Sequence, residues 1–177
     1  SFASLGTTGG HRGRKRSLLQ GGIGVPFIAG WPGKIASGKI DDSTPMTAVD
    51  LLPTLCAIAD VELPEAYIAD GVDQSAALFG KPASNRRKPI FWQWKSASKR
   101  GENWPTLAVR TGQWKLLLGK SPGQVELFHF PDDRHEKYNR QHSEADTVKR
   151  LKSLIANWEV ECAGVAGQAC FSTARPK

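Results

Sequence analysis

Residues 89–95, 106–110, 114–119 and 125–130 are four short runs rich in aromatic and β-branched side chains, parted by turn residues such as Thr111-Gly112 and Pro122-Gly123. Short runs of this composition, with turn signals between them, predict neighbouring strands joined by tight connections, an antiparallel meander. Such a sheet must bury at least one face, so another element has to cover it. Residues 143–162 supply that element: Val148, Leu151, Leu154, Ile155 and Trp158 share one helical face, and Ser143 with Asp146 has capping-box spacing.

The first half reads differently. Residues 25–31, Val-Pro-Phe-Ile-Ala-Gly-Trp, are mostly apolar and end at Pro32-Gly33, which predicts a strand buried on both faces. Residues 45–61 place Val49, Leu52, Leu55, Cys56 and Ala59 at helical spacing and predict a buried helix, with Thr47 or Asp50 as N-cap. Pro53 fits that helix only in its first turn. Residues 62–85 read as a connection with one helical turn at 74–79, and residues 164–177 as a loose tail.

Charge narrows the partner class. The chain of 177 residues carries a formal net charge of +7, and much of the excess lies in His11-Arg12-Gly13-Arg14-Lys15-Arg16 and Arg86-Arg87-Lys88. Nucleic acid, anionic polysaccharide and sulfate or phosphate esters all suit such clusters. No nucleic-acid-binding motif accompanies them, so nucleic acid is not the expected partner. The sequence has no apolar run long enough to span a membrane, and no membrane partner is expected. The first ten residues lack the pattern of a signal peptide, and Ser1 with the Gly/Thr-rich start fits a piece of a longer protein.

Other chemistry-bearing residues have plain structural readings. Of the histidines His11, His129, His135 and His142, none pairs at the spacing of zinc ligands. His11 shares the basic loop and is kept as a ligand candidate. Asp132, Asp133 and Glu136 form an acidic turn that suits either calcium or structure. Most tryptophans suit core packing, with Trp92 and Trp94 on one strand face; Trp104, in a polar loop, is the one expected to touch a ligand. Cys56 reads as a buried thiol, while Cys162 and Cys170 bracket a Gly/Ala-rich stretch and form a disulfide if the protein is exported.

The strings GRKRSLLQGGIGVPFIAGWPGKIASGK, TAVDLLPTLCAIADVELP, DGVD, PIFWQWK, LAVRTGQWKLLLG and ELFHFPDDRHEKYN occur in this order. In this order they resemble the type I sulfatases of the alkaline-phosphatase-like superfamily, of the arylsulfatase and N-acetylgalactosamine-6-sulfatase kind, over residues 10–161. The resemblance implies a sulfuric ester hydrolase that uses a formylglycine nucleophile beside a calcium ion. The Cys/Ser-x-Pro-x-Arg motif that yields formylglycine is absent from this sequence, as are the family's paired aspartates and Asp-Asn metal pair. Catalytic and metal-binding residues, with calcium and formylglycine, are therefore expected outside this chain, which alone is expected to be inactive. The resemblance places the family's sulfate-contacting loop lysine on Lys15, before the pair Gly21-Gly22, with Arg14 or Arg16 in its place if the register moves by one. Gln20 and Gly24 depart from the Glu and Arg usual there, which bears on how the loop is anchored. The acidic turn is structural in this reading.

These readings predict an α/β chain. Residues 1–85 are the trailing edge of a large sulfatase domain, 86–163 a small antiparallel sheet packed by a C-terminal helix, and 164–177 a tail. The expected partners are a sulfate ester, most simply of a sugar, and the N-terminal part of the same enzyme, in an exported or lysosomal setting. The alternatives are a polyanion-binding module or a degenerate interaction domain without catalysis.

Overall fold

A computed structural model describes residues 6–82, 86–94 and 104–165 of the 177. The chain divides into two compact units, Gly24–Ile90 and a second one composed of Ser1–Ile23 with Phe91–Lys177. The basic loop therefore packs with the C-terminal sheet, whereas the division drawn from sequence at residues 85 and 86 grouped it with the first half.

In the larger unit the four expected strands form one sheet in the order β1 (Ile90–Gln93), β2 (Leu107–Thr111), β3 (Trp114–Leu118) and β4 (Val125–His129). β2 and β3 pair antiparallel about Thr111↔Trp114, and β3 pairs antiparallel with β4 through Leu116↔Leu127. Period-two alternation sorts their side chains. Val109, Leu116, Val125 and Leu127 face the helix Ala145–Val165, whose Leu151 and Ile155 are buried against them. Val148 and Leu154 flank that contact, and Trp158 stacks on Phe91 with ring centroids 5.0 Å apart. The predicted stripe holds. The capping box does not form, because the Ser143 hydroxyl donates to the Arg140 carbonyl (3.2 Å) and the helix begins two residues later.

Ala108, Leu117 and Phe128 point to the opposite face, where Leu18 and Leu19 cover them. Trp92, Trp94 and Trp104 pack against this second core. Trp104 is half buried, wedged beside Gly119 as well as against this core. The short helix α1 (Gln20–Ile23) follows Leu19 directly.

In the other unit a single 3-10 turn, Ala48–Asp50, runs into α2 (Leu51–Ile58), and α3 (Ser75–Leu78) occupies the predicted helical turn. Pro53 lies in the first turn of α2, as required. Asp50 is buried and acts as a hub. One carboxylate oxygen accepts from Val72 N (2.9 Å) and Arg86 (2.5 Å), the other from Thr47 N (2.8 Å). Thr54 accepts from Gln74 N (2.9 Å), and Gly71 sits so close to the Val49 carbonyl that a Cβ there would collide with it.

Two expectations are corrected here. Residues 25–31 form no strand, and Val25 and Ile28 are 79% and 91% exposed. A central strand buried on both faces needs hydrogen-bonding partners on both edges and apolar cover on both faces, and the described residues of this unit supply neither. The α2 helix likewise turns Leu51, Leu52 and Leu55 outward and buries Pro53 and Thr54, with Cys56 only half buried. Its stripe is apolar without being covered. Surface of this kind is adhesive. The 177-residue chain in isolation is expected to bind an apolar-surface dye and to self-associate; a monodisperse, dye-silent monomer by light scattering would count against this.

Candidate functional site: an anchored basic loop

Residues 11–17 run as an irregular loop across the end of the larger unit's second core, and three kinds of constraint hold it. The first is steric. Gly21 and Gly22 lie directly under the loop, with a Cβ on Gly21 falling 2.5 Å from the Gly13 carbonyl and 2.8 Å from that of Arg12. On Gly22 a Cβ would strike the Ser17 and Arg14 carbonyls. Only glycine permits this approach of backbone to backbone. Gly21 N also donates to the Arg12 carbonyl at 2.7 Å.

The second constraint is ionic. Arg12 grips Glu126 of β4 with two guanidinium nitrogens, at 2.6 and 3.1 Å, and reaches the Glu136 carbonyl at 3.3 Å. The hydrogen bonds that the Arg12 guanidinium donates to Glu126 hold it above its ordinary pKa. The third is a buried carboxylate. Glu136 is fully buried; one oxygen accepts from Lys115 Nζ of β3 at 2.6 Å and the other from the backbone N–H of Gln20 at 2.7 Å. Burial pushes the Lys115 ammonium below the usual lysine range, and Glu136 opposes that shift. The departure at Gln20 thus leaves the anchor intact, since it is the main chain that Glu136 holds.

Held in this way, the loop presents Arg14, Lys15 and Arg16 to solvent, with Lys15 and Arg16 at a turn and Arg16 at φ 75°. Lys15 forms no hydrogen bond or ion pair with the described residues, so its ammonium is available to a ligand. His11 lies behind it. The His11 imidazole hydrogen-bonds the Arg134 carbonyl through Nδ1 (3.1 Å) and stacks on His135 at 4.8 Å. That bond makes His11 a brace between the loop and the 131–139 turn. An open groove of about 490 Å³ beside the loop is lined by Gly10, Arg12, Glu126, Phe128, His135 and Lys137, among others.

The acidic turn is structural in detail. Asp133 accepts from the backbone N–H groups of Lys137 (2.9 Å) and Tyr138 (2.8 Å). Asp132 pairs with His129 (2.8 Å) and Arg140 (2.6 Å), and both partners hold its carboxyl below the usual range. Among the described residues no group of three or more His, Cys, Asp or Glu side chains converges as a metal site. His142 is exposed and touches Gln141. Cys162 is exposed on the final helix; Cys170, its expected bridging partner, lies outside the described residues.

Sequence reasoning singled out Lys15 and His11, placed Arg12 in the basic cluster and read Glu136 as part of a structural turn, but missed Lys115 and Glu126 and the part all four play in fixing the loop. Lys115 carried a signal, being a charged residue inside an otherwise apolar strand, Trp-Lys-Leu-Leu-Leu. Such a residue requires a buried counter-charge.

An antiparallel sheet with a helix on one face and an anchored basic loop on the other is the C-terminal module of a sulfatase-type fold. The chain belongs to the family described as N-sulphoglucosamine sulphohydrolase, C-terminal, which it matches over residues 10–161. It is 37% identical to arylsulfatase A of Bos taurus over 110 residues, which is 62% of this chain and 20% of that protein. To the N-acetylgalactosamine-6-O-sulfatase of Bacteroides thetaiotaomicron it is 26% identical over 159 residues, covering 82% of this chain and 29% of that one. A solved Bacteroides thetaiotaomicron structure, from work on a locus for the metabolism of multiple glycosaminoglycans, superposes with a TM-score of 0.67 at 25% identity, over 86% of this chain and 32% of its own. The structure named Ps i-CgsB gives a TM-score of 0.59 at 26% identity, over 72% and 27%. The chain thus spans between a fifth and a third of the length of these proteins.

Replacing Glu136 by Gln would leave the Lys115 ammonium buried without a counter-charge. We expect a loss of about 3–5 kcal/mol in urea unfolding. The double variant Lys115→Met with Glu136→Gln should lose clearly less, and equal losses in the two would show that charge is not what the pair contributes.

Proposed function

We propose that this chain is the C-terminal part of a sulfuric ester hydrolase, and that Lys15 is its contribution to the sulfate site. The observation that carries the reading is a solvent-facing ammonium on a loop clamped by glycine packing and by the Arg12–Glu126 and Glu136–Gln20 contacts. As the S–O bond of a sulfate ester breaks, negative charge redistributes over the sulfate oxygens and the leaving oxygen. A cation fixed before the substrate arrives stabilises that charge without reorganisation. Lys15 meets both conditions, and His11 acts by bracing the loop.

The nucleophile, proposed to be a formylglycine, and the ligands of the proposed calcium ion belong to the remainder of the polypeptide. The substrate class we favour is a sulfated saccharide. Support comes from the relative named N-acetylgalactosamine-6-O-sulfatase and from Ps i-CgsB, solved with k-i-k-neocarrahexaose bound. An exported setting remains part of the proposal; no helix among the described residues is long and apolar enough to cross a membrane.

In the full-length enzyme, Lys15→Ala should lower kcat/KM for 4-nitrophenyl sulfate by about 10²–10³-fold. Its thermal stability should stay within about 0.5 kcal/mol of the parent, as expected of a surface substitution. Activity within about threefold of the parent would overturn the assignment of Lys15. If Arg14→Ala or Arg16→Ala brings the large loss instead, the contact belongs to that neighbour.

A further inference from the structure

Nearly every cation drawn into the larger unit has a carboxylate: Arg12 has Glu126, Lys115 has Glu136 and Arg140 has Asp132. Arg110 of β2 does not. By the period-two rule its side chain shares the sheet face of Ala108, Lys115 and Phe128, the face that the basic loop covers. Its guanidinium lies 4.3 Å over the Phe130 ring, and its Nε is buried with no hydrogen-bond partner. No described carboxylate pairs with it.

Burial lowers the pKa of Arg110, and repulsion by Arg134 adds to the shift. The carboxylates of this face are already committed: Glu126 to Arg12, Glu136 to Lys115 and Gln20, and Asp133 to two backbone N–H groups. A largely buried guanidinium without a counter-ion is costly, and an aromatic face compensates it only in part. Close by in sequence, His135 Nδ1 is a second buried nitrogen without a partner. A guanidinium with a buried, unpartnered Nε and no carboxylate describes a position short of an acceptor with negative charge.

We propose that Arg110 binds a second oxyanion of a polyanionic saccharide, a sulfate or carboxylate other than the sulfate met by Lys15. This rests on the sulfatase reading above and extends it to the length and charge of the substrate. The two positions are mechanically joined, because His11 at the base of the loop hydrogen-bonds the Arg134 carbonyl and stacks on His135. Arg110 nevertheless keeps part of its side of the sheet exposed. A guanidinium over an aromatic ring keeps its planar edge open for two parallel N–H···O bonds, the geometry that suits an oxyanion.

The test uses the full-length enzyme, a fluorescently labelled sulfated carrageenan hexasaccharide as probe and 4-nitrophenyl sulfate as a substrate with one anionic group. For Arg110→Gln we expect the probe's Kd, read by anisotropy, to rise about tenfold or more. The KM and kcat for 4-nitrophenyl sulfate should remain within about twofold of the parent. Arg110→Lys should restore part of the affinity, since it returns the charge but not the paired bonds. An unchanged Kd in Arg110→Gln, or no probe binding to the parent enzyme, would overturn the proposal. So would a parallel loss of aryl sulfate turnover and thermal stability, which would assign Arg110 to an internal ion pair with a carboxylate elsewhere in the polypeptide. Failure of the sulfatase reading itself would look different, as absence of 4-nitrophenyl sulfate turnover in the parent, and the anisotropy measurement stands without turnover.

Discussion

The Glu136 carboxylate joins three parts of the chain that are far apart in sequence. Its two oxygens hold Lys115 in the middle of the sheet and the main chain at Gln20, while its own residue closes the turn that follows β4. Glu136 takes a positive φ of 56° to do so, a conformation that a non-glycine residue adopts only when its surroundings reward it. The pair with Lys115 resembles a rivet under the loop more than a source of net stability, because desolvation offsets much of the attraction in a buried ion pair. What it supplies is position. Remove it and the loop keeps its charges but loses the surface against which they are set.

The division of labour within the basic segment follows from this. Arg12 faces inward to Glu126 and Glu136, whereas Lys15 faces outward. Residues of the same charge in one loop thus have opposite settings, one bound to the scaffold and the other facing solvent. The glycines at 21 and 22 make that separation possible, since any side chain there would lift the loop off the sheet.

Local pattern carried the sheet, the final helix and the turn of α3, because each is stabilised by neighbours close in sequence and shows its period directly. It failed where the deciding partner is remote or is not in the chain. Residues 25–31 have the composition of a central strand, yet composition does not supply the flanking strands, and the segment is irregular and mostly exposed. Trp104 looked like a loop residue because its sequence neighbours are polar; Gly119 and the second core, far along the chain, decide its place. The candidate site was half legible. Lys15 came from motif and charge, while its anchors at Glu126 and Glu136 lie more than a hundred residues away and only the fold reveals them.

That separation has a consequence for the order of assembly. β2, β3 and β4 are joined by short connections and α4 (Ala145–Val165) follows soon after, so their mutual contacts close small loops. The Arg12–Glu126 bond closes a loop of 114 residues. Loop-closure entropy delays contacts of that span until the local ones are in place. The basic loop is therefore a late arrival, captured by a sheet and turn that form without it. In a polypeptide under thermal or mutational stress it should also be among the first parts to detach, so that the solvent-facing lysine is lost from its position while most of the sheet is still folded.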